Sequence, residues 1–152
     1  MLENILSPGL VLMILTMAVS FYHTYGSMKL MRPGNDWEKG IPSDPYPNAP
    51  KNLQMVKNNI KNLFEYPIIF YVLLILIYSF DKTDTALLYL AWIYVLLRIA
   101  HSFYHLFMNN THLRGGFWLI SQFILLFNIS LFCLRIVHRI EFYNFNSYIW
   151  KL

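Results

Sequence analysis

Glu65 and Arg98 carry the most chemical information in this sequence, because each places a charge within a long apolar stretch. A charge at mid-membrane costs about 2.5–3.5 kcal/mol even on the lenient insertion scale, so neither side chain should face lipid. At a helical rise of about 1.5 Å per residue, Glu65 lies about 12 Å in from Lys57 and Arg98 about 15 Å in from Met108. The helices that carry them are antiparallel neighbours, so the two charges arrive at similar depth from one face. An ion pair is the economical expectation. Such a pair can belong to a binding site, or act purely as glue between two helices.

Further polar residues join these two when each helix is projected at about 100° per residue. Asn58, Asn62 and Glu65 fall within an arc of roughly 60° on one helix, and Tyr94, Arg98, His101, His105 and Asn109 within roughly 80° on the next. Thr16, Ser20, His23 and Ser27 share one face of a preceding helix, and Arg114, Ser121 and Asn128 align on a following one. Four polar stripes, most of them in one half of a bundle, predict a cavity. Each stripe also has a plainer reading. Ser and Thr in apolar helices often bond backward to a carbonyl, and Arg114 alone could be an end-cap whose long stem reaches the surface. His101 and His105 have the i, i+4 spacing of metal ligands. No third ligand lies on the same turn and Arg98 would repel a cation, so no metal site is expected. Ser121 lacks the rest of a nucleophilic triad. The sequon Asn109-Asn110-Thr111 falls on the face predicted to be cytoplasmic and carries no information there.

The elements that position these residues are read from apolar runs and breaks. The chain has 152 residues, 57% hydrophobic and only 13% charged, where soluble domains carry roughly 25% charged residues. A bilayer can solvate that much apolar surface; water cannot. The net charge of +4 sits mostly at the edges of apolar runs, which suits anionic lipid and argues against a nucleic-acid partner. Cys133 lies in an apolar run and has no partner for an internal disulfide. The N-terminus lacks the basic start of a cleavable signal peptide, and its apolar run reads as a retained span. The spacing predicts one membrane domain over residues 1–152 that is all-α, a four-transmembrane-helix bundle with spans at about 6–29, 57–80, 85–108 and 115–136. Prolines concentrate between Pro33 and Pro50, so residues 32–56 are expected to form a surface loop. Thr83 or Asp84 is positioned to cap the third helix. Cations at the span ends number seven on the side of the long loop and four on the other, which places that loop in the cytoplasm and both termini outside.

The segment Asn62-Leu63-Phe64-Glu65-Tyr66-Pro67-Ile68-Ile69-Phe70-Tyr71 resembles the second-helix signature of the MAPEG family, the membrane-associated proteins of eicosanoid and glutathione metabolism. Leu97-Arg98-Ile99-Ala100-His101-Ser102-Phe103-Tyr104-His105 is similar to its third-helix signature. With Asn109, Asn110 and Arg114, the likeness is strongest to the bacterial branch, which implies a bacterial inner membrane. The resemblance covers roughly residues 5 to 135 and implies a homotrimer with sites between neighbouring subunits. It also implies glutathione as co-substrate and a lipophilic small molecule as the other partner. By resemblance Asn62 and Glu65 would hold the tripeptide's amine, while Arg98 and Arg114 would serve its carboxylates and thiolate. His101 would join that binding set, and Arg114 and His105 would be the catalytic candidates.

Two positions depart from the family's enzymatic pattern. Asn58 stands where an arginine is usual, one turn before Asn62, and His105 stands where a tyrosine is usual. The resemblance therefore implies either a glutathione-dependent transferase or peroxidase, or a non-catalytic protein that binds a lipid or partner in the same groove. The orientation has a direct test: cysteines placed singly at Ser43 and Ser147, in a background lacking Cys133, should label from opposite sides of the membrane. Labelling of Ser43→Cys from outside intact cells would invert the topology.

Overall fold

The computed structural model describes residues 4–30, 49–108 and 110–149. The expected loop residues from Arg32 to Asn48, together with Asn109 and Lys151, lie outside the described residues, as do the side chains of Arg139 and Ser147. Among the described residues every regular element is helical: α1 (Ser7–Leu30), α2 (Lys51–Glu65), α3 (Pro67–Ser79), α4 (Thr85–Phe103), a π-helical turn (Tyr104–Met108) and α5 (Thr111–Ile149). Four stretches are long and apolar enough to cross a membrane: Ser7–Lys29, Lys51–Ser79, Thr85–Met108 and Thr111–His138. The second of these combines α2 and α3. Its helix starts at Lys51, so residues 51–56, read from the sequence as the end of a loop, are already helical.

Pro67 explains the division of that span. Proline has no N–H to donate into the helical ladder and its ring disturbs the preceding turn. Tyr66 is therefore the joint, and the ladder resumes with Ile69 N–H donating to the Tyr66 carbonyl at 3.0 Å. α2 is strongly two-sided, burying Leu53, Val56, Asn59 and Leu63, whereas α3 is apolar all round and buries Phe70, Leu73, Leu74 and Ile77. The outward residues Ile68, Ile69, Val72 and Ile75 are as apolar as the inward ones, as expected where lipid is the solvent.

α4 is the centre of the bundle. It packs against α1 and α5, while the π turn that continues it packs against α2. Its buried stripe runs Leu87, Ala91, Tyr94, Val95, Arg98, His101 and Ser102. α5 answers with Ser121, Leu125, Asn128 and Phe132, spaced four, three and four apart so that all face one seam. The Asn128 amide donates to the Leu87 carbonyl at 3.4 Å, tying α5 to α4. α1 approaches α3 so closely at Gly9 that an added Cβ would sit 2.8 Å from Leu74 Cδ1. Small residues permit such close helix crossings in membranes.

The turn between the second and third spans is built from local chemistry. Asp81 adopts φ 51°, Asp81 N–H donates to the Tyr78 carbonyl at 3.1 Å and Lys82 N–H to the Ile77 carbonyl at 3.0 Å. These are the two reversed bonds that close a helix C-terminus around a left-handed residue. Asp84 then caps α4, its Oδ1 accepting from Leu87 N–H at 2.8 Å, as its position in the sequence predicts. Its Oδ2 also lies 2.7 Å from Arg135 Nη1 on α5. One carboxylate thus starts α4 and anchors α5. Loss of a capping side chain costs about 1 kcal/mol, and a half-exposed ion pair contributes less than about 1 kcal/mol. Asp84→Ala should therefore lower stability by roughly 1–2 kcal/mol, while Asp84→Asn keeps the cap and should cost clearly less. Melting of the purified variants in one detergent checks this; equal losses would show that the cap contributes nothing.

Candidate functional site

The sequence predicts a polar cavity in the half of the bundle nearest the long loop, and α4 supplies its spine. Tyr94, Arg98, His101 and His105 are all buried, since steps of three and four residues keep them on one face of the helix. The π turn from Tyr104 to Met108 widens the helix by one residue per turn where His105 sits, a local feature common at functional sites. The His101 and His105 rings lie 5.7 Å apart, edge to face.

Arg98 is completely buried. Its Nη2 donates to the backbone carbonyl of Asn62, at the end of α2 just before the Pro67 break. The expected ion pair with Glu65 is not formed. Glu65 is exposed, its side chain 45% accessible, and its nearest cation is Lys61 one turn back at 3.9 Å. The carboxylate remains within electrostatic reach of the guanidinium, as do Tyr71 and Tyr94. The reason is rotational. The buried face of α2 follows Leu53, Val56, Asn59 and Leu63, so Glu65 and Asn58 point away from it and Asn62 lies at its edge.

That register brings in a residue absent from the predicted stripe. Asn59, fully buried, accepts from Ser102 Oγ at 3.3 Å through Oδ1 and joins α2 to α4. The signal was present in the sequence, because residues 53, 56, 59/60 and 63 repeat at helical spacing with apolar partners. On α2, where polar residues lie on every side, the spacing of Leu53, Val56 and Leu63 marks the inward face better than the asparagines do.

α5 enters the site at its first turn. Asn110 caps it by accepting from Leu113 N–H at 3.1 Å, which places Arg114 just inside the helix. His101 Nδ1 meets the Arg114 carbonyl at 2.9 Å. A carbonyl only accepts, so Nδ1 carries the proton and Nε2 of the neutral ring is left as an acceptor. His105 and His101 both lie within the electrostatic reach of Arg114. Arg98, His101, His105 and Arg114 therefore gather with the Asn62 carbonyl, while the side chain of Glu65 stays outside.

Several buried polar atoms in this cluster have no hydrogen-bond partner among the described residues: Arg98 Nε and Nη1, Asn59 Nδ2, Tyr94 Oη, His101 Nε2 and His105 Nδ1. An unsatisfied buried group costs about 1–3 kcal/mol. Their concentration around one arginine leaves unused hydrogen-bonding capacity in a single region of the bundle. The other stripes are quieter. Thr16 and Ser20 donate backward to the carbonyls of Leu12 and Thr16 at 2.9 and 2.8 Å, and Ser121 to that of Trp118 at 2.6 Å. These are helix-internal bonds of the plainer kind. Among the described residues no group of three or more His, Cys, Asp or Glu converges as metal ligands.

A sequence model of the MAPEG family matches residues 5–137, which takes in all four spans and every residue of the cluster. No curated protein and no solved structure shows significant similarity to the chain. The match over most of its length, on four helices that can cross a bilayer, makes the chain a multi-pass integral membrane protein of the MAPEG family.

Proposed function

We propose that the cluster around Arg98 is the site of a glutathione-dependent transferase or peroxidase acting on a lipophilic electrophile that enters from the bilayer. The observation that carries this reading is the set of buried, unpartnered donors on Arg98, Asn59 and Tyr94 beside a second arginine, Arg114. Glutathione presents carboxylates and a thiol that gains reactivity as its anion. Guanidinium groups suit carboxylates because their planar fork matches both oxygens. Among the described residues Arg98 and Arg114 are the arginines available to this site, with Asn59 adding an amide donor.

The chemistry assigned to the chain is stabilisation of charge. A cation near a thiol favours its thiolate, which is the nucleophile. Arg114 would hold that thiolate while it forms a C–S bond to an apolar co-substrate as the leaving group departs with its electron pair, or attacks a peroxide oxygen with cleavage of the O–O bond, the alkoxide taking up a proton and a second glutathione converting the sulfenate to the disulfide and water. His105 would act beside it as a hydrogen-bond partner in the place of the usual tyrosine. His101, with Nδ1 committed to the Arg114 carbonyl, would orient that arginine's backbone and offer Nε2 as an acceptor.

Glu65, Lys61 and Asn58 form an exposed polar edge on α2 that lipid would not tolerate at depth. A homotrimer, the family's assembly, would cover this edge, and Glu65 with Asn62 could then receive the amine of glutathione across a subunit boundary. A bacterial inner membrane is the setting that the likeness to the bacterial branch favours.

A second reading rests on two positions. Asn58 replaces the usual arginine and His105 the usual tyrosine, so the pocket is one cation and one hydroxyl short. These favour a non-catalytic protein that binds a lipid or partner in the same groove. Titration of glutathione against purified wild type, Arg114→Ala and His105→Tyr separates the two. The enzyme reading expects millimolar affinity for wild type, about −4 kcal/mol, and a loss of roughly 10²-fold in conjugation rate for Arg114→Ala, the typical effect of removing one donor to a developing anion. His105→Tyr should retain or raise the rate. If none of the three binds glutathione at millimolar concentration, the non-catalytic reading replaces the enzyme.

A further inference from the structure

Arg98 is a buried cation that faces no buried anion. Its side chain is wholly enclosed. Ten residues separate it from Met108, about 15 Å of helix. Among the described side chains the carboxylates are Glu65, Asp81 and Asp84. Asp81 and Asp84 belong to the turn at the opposite end of the bundle, where Asp84 pairs with Arg135. Glu65 is exposed and pairs with Lys61. Arg114, which shares His101 as a neighbour, adds charge of the same sign. A charge left uncompensated at this depth is strongly unfavourable. We propose that the cluster holds a small inorganic anion of the chloride class, which neutralises Arg98 whenever no organic ligand is bound.

The groups around the guanidinium suit that occupant. Nη2 is committed to the Asn62 carbonyl, while Nε and Nη1 have no hydrogen-bond partner among the described residues. Tyr94, one turn earlier on α4, is fully buried and its Oη is likewise unpartnered. The Phe70 ring packs against the Tyr94 ring at 4.4 Å between centroids and holds it in place. Asn59 stands on the other side. It lies one turn before Asn62 on α2 and bonds to Ser102, one turn after Arg98 on α4. That bond uses Oδ1, so Nδ2, buried and unpartnered, is left as a donor.

All four of these orphan atoms carry hydrogens to donate. Water would satisfy some of them, but it brings two donors of its own and no charge. A halide accepts from several directions, donates nothing and cancels the guanidinium's charge. Tyr71 provides the contrast. It too lies within electrostatic reach of Arg98, but its hydroxyl is engaged with that of Thr16. Glutathione need not bind for this site to exist, although its carboxylates are acceptors of the same kind and would compete for the same donors.

The test uses full-length protein in detergent at fixed pH and ionic strength, with chloride replacing gluconate, an anion too large for an enclosed site. The melting temperature of wild type should rise with chloride and saturate in the millimolar range. Tyr94→Phe, which removes one donor to a charged acceptor, should need about tenfold more chloride for the same effect. Tyr71→Phe should respond as wild type does, and Arg98→Gln should not respond at all. If Arg98→Gln does not fold, the two tyrosine variants decide. A wild-type melting temperature indifferent to the exchange overturns the site and leaves water as the occupant. So does a response of folded Arg98→Gln equal to that of wild type, or equal responses of Tyr94→Phe and Tyr71→Phe. The glutathione reading fails separately. If glutathione binds, chloride should raise its half-saturating concentration, and independence of the two overturns the anion site while leaving the enzyme. If glutathione does not bind, saturable stabilisation by chloride that is weakened in Tyr94→Phe alone still upholds the anion site.

Discussion

The bond from Arg98 to the Asn62 carbonyl holds this bundle to its purpose. A proline at position 67 interrupts the second span at membrane depth, and backbone groups freed there cannot turn to water. The arginine reaches from the central helix to the Asn62 carbonyl, one residue before the Leu63 carbonyl that Pro67 leaves without its helical donor, so one side chain fixes α2 against α4 beside the break. An arginine suits this task because it stays charged when buried and offers several donors at fixed angles. The donors left over after that bond, Nε and Nη1, belong to the candidate site. Structure and chemistry thus draw on the same guanidinium.

This dual use explains why the polar groups stay in one half of the bundle. Towards the loop face, Asn59, Ser102, His101 and His105 surround the arginine. Towards the other face the polar contacts are few and local: Asn128 on a carbonyl, and Asp84 shared between a helix start and Arg135. Buried polar networks specify a packing when their members are satisfied and recruit partners when they are not. In the far half only Asn128 Oδ1 and Asp84 Oδ2 lack a hydrogen bond among the described residues, and Asp84 Oδ2 is ion-paired with Arg135; the loop half holds most of the others.

The fold was legible in the sequence because charge-free runs and proline clusters report the span ends directly. The cap by Asp84 was legible too, since an Asp before an apolar run has a local mechanism. The details of the site were less so. Glu65 and Arg98 do lie at similar depth, yet depth says nothing about rotation about the helix axis, and the carboxylate points outward. Asn58 and Asn59 are neighbours in sequence, and choosing between them needs the inward face of α2, which Leu53, Val56 and Leu63 define. The start of α2 at Lys51 was hidden because its first turns are too polar to register as a membrane span. The π turn left no trace in the sequence, because it arises from tertiary packing and not from any residue's preference.

The joint at Tyr66 also bears on how the chain enters its membrane. α3 has thirteen residues, about 20 Å of helix, against a hydrocarbon thickness of about 30 Å. It cannot cross alone, and the segment that completes the crossing, α2, carries lysines and asparagines. During biogenesis the insertion machinery therefore meets one span of 29 residues whose apolar part, of mean hydropathy 1.8, must carry the polar turns of α2 with it. α4 follows after a tight turn, long and apolar enough to cross by itself. The two spans form a helical hairpin, and the polar half of the second gains a buried partner only once Arg98 has arrived to meet it.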